Sequence, residues 1–313
     1  MAEAERIATV RYVAADRLAE ALPGSDALFV WDFRSTAVAD AWPRRDAPRW
    51  VHIASAGVDR LLFPELADAV VTNSRGLFEQ PIADYVLALV LVFAKDLHTT
   101  VRLQAEHTWR HRETESPAGA TALVVGTGPI GRAIGRRLRD FGLRVTGAGR
   151  RAAVDDPYLG DVAGPAGLRA ALGAADYVVV AAPLTDATHG MIDAEALRAM
   201  RPTARLINVA RGELVVTADL VAALREGTIA GAALDVFESE PLSGDSALWD
   251  MPNVIVSPHM SGDLAGWKPE LVTVFLDNLR RFAGGAPLRN VVDQALGYVP
   301  SSQTVPAGSR GTP

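Results

Sequence analysis

The sequence predicts an α/β protein built from a doubly wound parallel sheet and a second, smaller α/β domain. Three observations predict it. The length of 313 residues suits about two domains of ~150 residues each. Short apolar runs alternate with polar, helix-like segments along the chain, the rhythm of a parallel sheet covered by helices. A glycine-rich turn, "GTGPIG", stands between an apolar run and a helix-like stretch.

In chain order, "IATVRYV", "ALFVW", "WVHIAS" and "AVVTNS" read as strands. A long helix is expected from Pro81 through Arg102, with Pro81 in its first turn. Its apolar core, Tyr85 to Ala94, is bracketed by Asp84 and Lys95 and falls short of the ~20 residues that span a bilayer. A polar connector follows, "HTWRHRETESPAGA". Six further strands are then expected at "TALVVG", "LRVTGAG", "ADYVVVAAP", "ARLINVA", "IAGAALDVF" and "NVIVSPH". With right-handed crossovers they make a doubly wound sheet. A helix from Trp267 to Phe282 leads back, and "GGAPLRNVV" returns to the first domain. The expected division is 1–97 with 285–300 as one domain and 98–284 as the other. The last residues, 301–313, lack apolar content and are expected to be disordered.

A formal net charge of −6 gives no basic field for nucleic acid. The absence of cysteine excludes disulfides, thiolate metal sites and cysteine nucleophiles. The first residues lack a basic segment followed by an apolar one, so no signal peptide is expected. Together these readings anticipate a cytoplasmic protein with no membrane segment and no metal.

Gly126, Gly128 and Gly131 form G-x-G-x-x-G after a strand and at the start of a helix. The first glycine permits the turn, the second lets backbone approach a pyrophosphate, and the third permits close helix–strand packing. The helix N-terminus favours the anion. An acid at the end of the next strand would hold a ribose 2′-OH. Here Gly149 stands at that place, followed by Arg150 and Arg151, whose guanidinium groups suit a 2′-phosphate. The expected cofactor is therefore NADP or NAD, with NADP preferred.

Three more strand ends carry polar groups: Arg211 in "NVARGEL"; Asp235, Glu238 and Glu240 in "LDVFESEPL"; and His259 in "VSPHMSG". Ligands of a doubly wound sheet bind beyond the carboxyl ends of its strands. Taken alone, His259 reads better as a packed core histidine; its company favours chemistry. The order "GTGPIG", "NVARGEL", "LDVFESEPL", "PNVIVSPHMSG" resembles the D-2-hydroxyacid dehydrogenase family, and the likeness runs from "SAGVDRL" to "RNVV".

The resemblance implies a Rossmann-type nucleotide domain, a flavodoxin-like α/β substrate domain and an active site between them. It implies a homodimer and an Arg–Glu–His set, by position Arg211, Glu240 and His259. Arg211 is expected to bind the carboxylate and carbonyl oxygens of a 2-oxo acid through its planar fork. His259 is expected to donate the proton in reduction and accept it in oxidation, with Glu240 orienting the ring. The loop "IASAGVDRL" is similar to the family's substrate loop, with backbone N–H groups of Ala56 and Gly57 on the carboxylate. Cofactor contacts are implied at Pro129, Ile130, Ala182, Pro183, Thr188, Ala210, Asp235, His259 and Gly262, besides the glycine turn. Formate- or phosphite-type oxidation, or a corepressor-like scaffold without turnover, are the other readings within reach of this family.

Two places depart from the family pattern. Leu264 stands where a threonine is common, with Trp267 nearby, and Asp84 stands where glutamate is usual. Among the other histidines, His52 reads as a packed strand residue, and His107 and His111 as parts of an exposed connector with Trp109. His98 and His189 lack metal-like spacing. Arg34 reads as a surface arginine or a contact to a second acidic group.

Overall fold

The computed structural model describes residues 2–300. The tail expectation for 301–313 lies outside the described residues. Two compact units are present: the chain up to Leu77 together with the segment from Leu264, and Phe78–Asp263.

The first unit carries three parallel strands in the order β1 (Ala27–Val30), β2 (Trp50–Ile53), β3 (Val70–Asn73). Side chains of all four β2 residues are buried, as suits a central strand with helices on its faces. The expected strand in "IATVRYV" does not form. Ile7 ends a short helix, Ala4–Ile7, and Tyr12 and Val13 are exposed and lie outside the described strands. The return segment behaves as expected: Val291 bridges Thr72, and Val292 N–H donates to Val71 O at 2.8 Å.

The helix Trp267–Ala283 belongs to this unit because Phe275 stacks on Phe29 at 4.2 Å and lies 5.5 Å from the Trp50 ring. Such aromatic pairs add to the apolar area they bury. The boundary therefore falls at 263/264 rather than 284/285. At the other crossing, the expected helix from Pro81 to Arg102 is two helices, Glu79–Ala94 and Leu97–Ala105. Asp96 breaks them with a left-handed φ of 47°, and its carboxylate is held by Arg112. The first of these helices lies in the second unit and packs on the helix Pro129–Asp140, where Asp84 pairs with Arg137 at 2.7 Å. Asp84 thus joins the two helices through an ion pair.

His52 on β2 is fully buried and satisfied on both nitrogens. Nδ1 lies 2.7 Å from Thr72 Oγ1, which also accepts from Trp50 Nε1 at 2.8 Å and donates to the ring when the ring is neutral with its proton on Nε2. Nε2 lies 3.3 Å from Ser74 Oγ, whose own proton goes to Ile53 O, so Nε2–H is the donor. Both assignments require a neutral ring. Burial drives its pKa down from 6.5 to about 3. Between those values the unfolded chain binds the proton and the folded chain does not, so stability falls as pH falls. Relative to His52→Asn, the wild type should lose about 2 kcal/mol between about pH 7 and pH 5. Parallel denaturation curves for the two proteins across that range would show it; an unchanged difference would refute the neutral-ring assignment.

The second unit holds β4 (Thr121–Val125), β5 (Arg144–Ala148), β6 (Ala153–Asp156), β7 (Gly160–Ala163), β8 (Tyr177–Val180), β9 (Arg205–Asn208), β10 (Gly231–Leu234) and β11 (Val254–Val256). Their order is β11-β10-β9-β8-β4-β5-β7-β6. All neighbours are parallel except the β6–β7 hairpin. Strand order reverses between β4 and β8, the switch point of a doubly wound sheet. The six expected strands are present. The hairpin was not expected, because "AVDDPYLGDVA" carries charges and no apolar alternation.

Candidate active site

Two strand ends flank the switch point. After β4, Gly126 turns the chain at φ 118°, and its N–H donates to Ala148 O at 2.8 Å. A Cβ on Gly126 would stand 2.5 Å from Ala181 C and 2.6 Å from Ala182 N, at the end of β8. A Cβ on Gly131 would stand 1.9 Å from Gly126 O. Both glycines let backbone meet backbone. Gly128 differs: a Cβ there would meet nothing within 4 Å. Gly128 is the N-cap of the helix Pro129–Asp140 and supplies no capping side chain. The first-turn amides of any helix lack intrahelical acceptors, which here leaves those of Ile130 and Gly131 for an anion. The open face at Gly128 is thus a cradle that a side chain would fill, and it fits a dinucleotide pyrophosphate.

Other residues expected at the cofactor follow β5 and β8. Ala182 is buried at the end of β8 and Pro183 is exposed. Thr188 folds back on its own loop, donating to Pro183 O at 2.7 Å and accepting from Thr185 N–H at 2.9 Å. It shapes the loop that follows β8. Arg150 and Arg151 are exposed beyond β5. Gly149, between them and the strand, is held by an N–H bond to Ala163 O at 2.9 Å.

The catalytic candidates sit at the ends of β9, β10 and β11. After β9, Asn208 is buried and closes a small turn. Its side chain accepts from Ala210 N–H at 3.1 Å and donates to Arg211 O at 2.8 Å. Arg211 donates to Ala210 O at 2.7 Å. Gly212 then lies directly on the loop after β10. A Cβ there would be 1.8 Å from Phe237 C and 2.2 Å from Glu238 N. The missing side chain is what lets the Arg211 loop touch the loop that bears Glu240.

Within that second loop, Glu240 Oε1 accepts from Phe237 N–H at 3.1 Å and Oε2 lies 2.8 Å from His259 Nδ1. Both side chains are largely buried, which strengthens the contact relative to a surface pair. Glu238 is exposed and accepts from Thr217 N–H at 3.2 Å, so it caps the start of the helix Thr217–Glu226.

His259 occupies a left-handed conformation, φ 54°. Asp235, 1% exposed, holds it there. Asp235 O accepts His259 N–H at 2.7 Å. The Asp235 carboxylate accepts Ser257 Oγ–H at 2.7 Å, Met260 N–H at 2.9 Å and Ser261 N–H at 2.9 Å. Tyr85 in turn hydrogen-bonds Ser257. Asp235, expected as a cofactor contact, is thus also the anchor of the histidine turn. Asn208, Gly212 and Ser257 were missed by sequence reasoning. The one available signal was a polar residue ending an apolar strand, as in "RLIN". Gly262, also expected near the cofactor, packs closely on the helix Glu79–Ala94, where a Cβ would stand 2.9 Å from the Phe78 ring.

In the first unit, Ala56 and Gly57 follow β2. Asn73 Nδ2 donates to Ala56 O at 2.6 Å, and Ser55 Oγ donates to Gly57 O. Arg34 is exposed and lies 3.8 Å from Asp32, as a surface arginine does. His107, His111 and Trp109 are exposed, and His189 is exposed on the loop after β8. Among the described residues no three His, Asp or Glu side chains group as metal ligands, and no helix is long and apolar enough to cross a membrane.

Comparison with known proteins places this geometry. Residues 87–261 match the family model for the D-isomer specific 2-hydroxyacid dehydrogenase NAD binding domain. A glyoxylate reductase from Thermococcus onnurineus is 35% identical over 253 residues, covering 76% of this chain and 75% of that protein. Among solved structures, an NADPH-dependent glyoxylate/hydroxypyruvate reductase from Sinorhizobium meliloti, in complex with NADP and sulfate, superposes with a TM-score of 0.81. It is 29% identical and covers 95% of this chain and 96% of its own. A D-isomer specific 2-hydroxyacid dehydrogenase from Xanthobacter autotrophicus, in complex with NADPH and MES, gives 0.74 at 36% identity, covering 87% and 85%.

Proposed function

Because the chain belongs to the D-isomer specific 2-hydroxyacid dehydrogenase family, we propose that it reduces a small 2-oxo acid of the glyoxylate or hydroxypyruvate class to the D-2-hydroxy acid, with NADPH preferred over NADH. The observation that carries this reading is the 2.8 Å contact of His259 Nδ1 with Glu240, in the same compact unit as the Gly126–Gly131 turn. A nicotinamide dinucleotide held at the Gly126–Gly131 turn would supply the hydride for C2 of the substrate. With Nδ1 engaged by Glu240, proton exchange falls to Nε2 of His259. Glu240 stabilises the imidazolium and fixes the ring plane. Arg211, held by the Asn208 turn, grips the substrate oxygens through its planar fork. The Ala56 and Gly57 amides are a second element suited to a carboxylate.

The relatives do not favour formate or phosphite oxidation, nor a scaffold without turnover. The preference for NADPH rests on Gly149 in place of a ribose-binding acid, with Arg150 and Arg151 beside it. The test is loss of nicotinamide absorbance with glyoxylate or hydroxypyruvate, using NADPH and NADH in parallel. Faster loss with NADPH is expected. Equal or faster loss with NADH would end the NADP preference, and no loss with either would end the substrate class.

The same reading includes a cytoplasmic homodimer. Leu97 and Val101 are exposed one turn apart on their helix, and Trp109 downstream is fully exposed. Exposed apolar side chains one turn apart, such as Leu97 and Val101, suit an interaction surface. Light scattering should give twice the chain mass for the wild type and the monomer mass for Val101→Glu with Trp109→Ser. A monomeric wild type would refute the dimer.

A further inference from the structure

We infer that Thr127 sets cofactor choice together with Gly149, by keeping an acidic side chain out of the ribose position. The inference rests on the dinucleotide reading above and deepens it. Gly149 follows β5 where a carboxylate would hold a ribose 2′-OH. A Cβ built on Gly149 would stand 2.7 Å from Thr127 Cγ2, 3.1 Å from Thr127 Oγ1 and 3.5 Å from Thr127 Cβ. The first distance is a clash, the second is tight and the third is ordinary contact.

Rotation of Thr127 relieves the crowding only in part, since one facing position at 2.7 or 3.1 Å stays filled. A threonine distributes two heavy branches over three staggered positions. Two of those positions face Gly149, so at least one is always filled. The backbone of Thr127 is no freer. On one side Gly126 is wedged against Ala181 and Ala182, and its O atom lies where a Cβ of Gly131 would be. On the other side Gly128 begins the helix Pro129–Asp140. Thr127 O also accepts from Arg132 Nε at 3.2 Å, and Arg132 is ion-paired to Asp156 on the β6–β7 hairpin. The turn cannot back away from β5 without breaking these contacts.

A single change at 149 therefore does not convert the site. An aspartate there meets Thr127 before it meets a ribose. Thr127→Ala removes both facing branches and leaves only the 3.5 Å contact of Cβ. Thr127 is thus a specificity-determining residue that the glycine motif, in which it is an unspecified position, gives no reason to single out.

The test measures binding of NADH, 2′,5′-ADP and 5′-AMP by calorimetry to the wild type, Gly149→Asp, Thr127→Ala and the double variant. Gly149→Asp alone is expected to weaken 2′,5′-ADP without improving NADH. The double variant is expected to bind NADH at least about tenfold more tightly than Gly149→Asp does. Equal NADH affinity in the single and double aspartate variants would overturn the inference. The wild-type comparison of 2′,5′-ADP with 5′-AMP judges the NADP preference separately, since that can fail while the Thr127 coupling stands. Should Gly149→Asp fail to fold, Gly149→Ala keeps the question open to measurement. Its melting temperature should fall by several degrees, and Thr127→Ala in the same chain should restore it. A Gly149→Ala protein as stable as the wild type would also overturn the inference.

Discussion

Replacing His259 with alanine should lower turnover of a 2-oxo acid by about 10²–10⁴-fold while NADPH affinity stays within a few-fold of wild type. The size of the effect follows from the geometry. The ring is oriented by Glu240 at 2.8 Å and by the backbone bond from His259 N–H to Asp235 O. No other titratable group within the Glu240–Asp235–His259 cluster is placed to donate a proton, because both carboxylates are already accepting from this loop and its neighbour. The pyrophosphate cradle at Gly128 lies on a different strand end, so dinucleotide binding should survive. Steady-state kinetics with a parallel binding titration checks both halves. Wild-type turnover in the variant would remove His259 from the chemistry. A collapse of NADPH affinity would mean that the ring serves the cofactor instead.

Gly212→Ala should be among the most damaging single-methyl additions in the chain. The new Cβ would fall 1.8 Å from Phe237 C, and the atoms it meets are backbone. Backbone does not repack as a side-chain tip does, so the loops after β9 and β10 must separate. A loss of about 3 kcal/mol or more is expected, at the upper end of overpacking effects. Turnover should fall as well, since Arg211 precedes the glycine and Glu240 lies on the displaced loop. Denaturant midpoints and kcat/KM report the two effects. A stable, active Gly212→Ala protein would show that the loops can part without cost. As an internal comparison, Gly244→Ala adds the same methyl where a Cβ meets nothing within 4 Å and should be near neutral.

Much of this architecture is legible in the sequence where apolar periodicity and local chemistry agree. Six of the eight strands of the large sheet carry largely apolar runs, as buried parallel strands do. The glycine turn announces itself by spacing, and Arg211, Glu240 and His259 each follow a strand end. What escaped reading is tertiary. "IATVRYV" has strand-like residues yet begins in a short helix and leaves Tyr12 and Val13 exposed, so propensity alone misleads. The β6–β7 hairpin is built from charged residues at a sheet edge, where alternation is weak. Asp96 breaks a helix in a conformation usually left to glycine. The unit boundary depends on Phe275 meeting Phe29 and Trp50, partners far away along the chain. Gly212 looks like any glycine until Phe237 and Glu238 are placed beside it.

The turn after β11 has a division of labour that bears on how such a sequence diverges. Its backbone is tied down: the amides of His259, Met260 and Ser261 all end on Asp235. Its side chains are not equally bound, and Met260 is 44% exposed. Asparagine at 235 would set an amide group against a backbone donor, and glutamate would overreach, so that position tolerates little drift. Position 260 is under no such constraint. A lineage can therefore exchange what stands at 260 many times over while the adjoining histidine keeps its place.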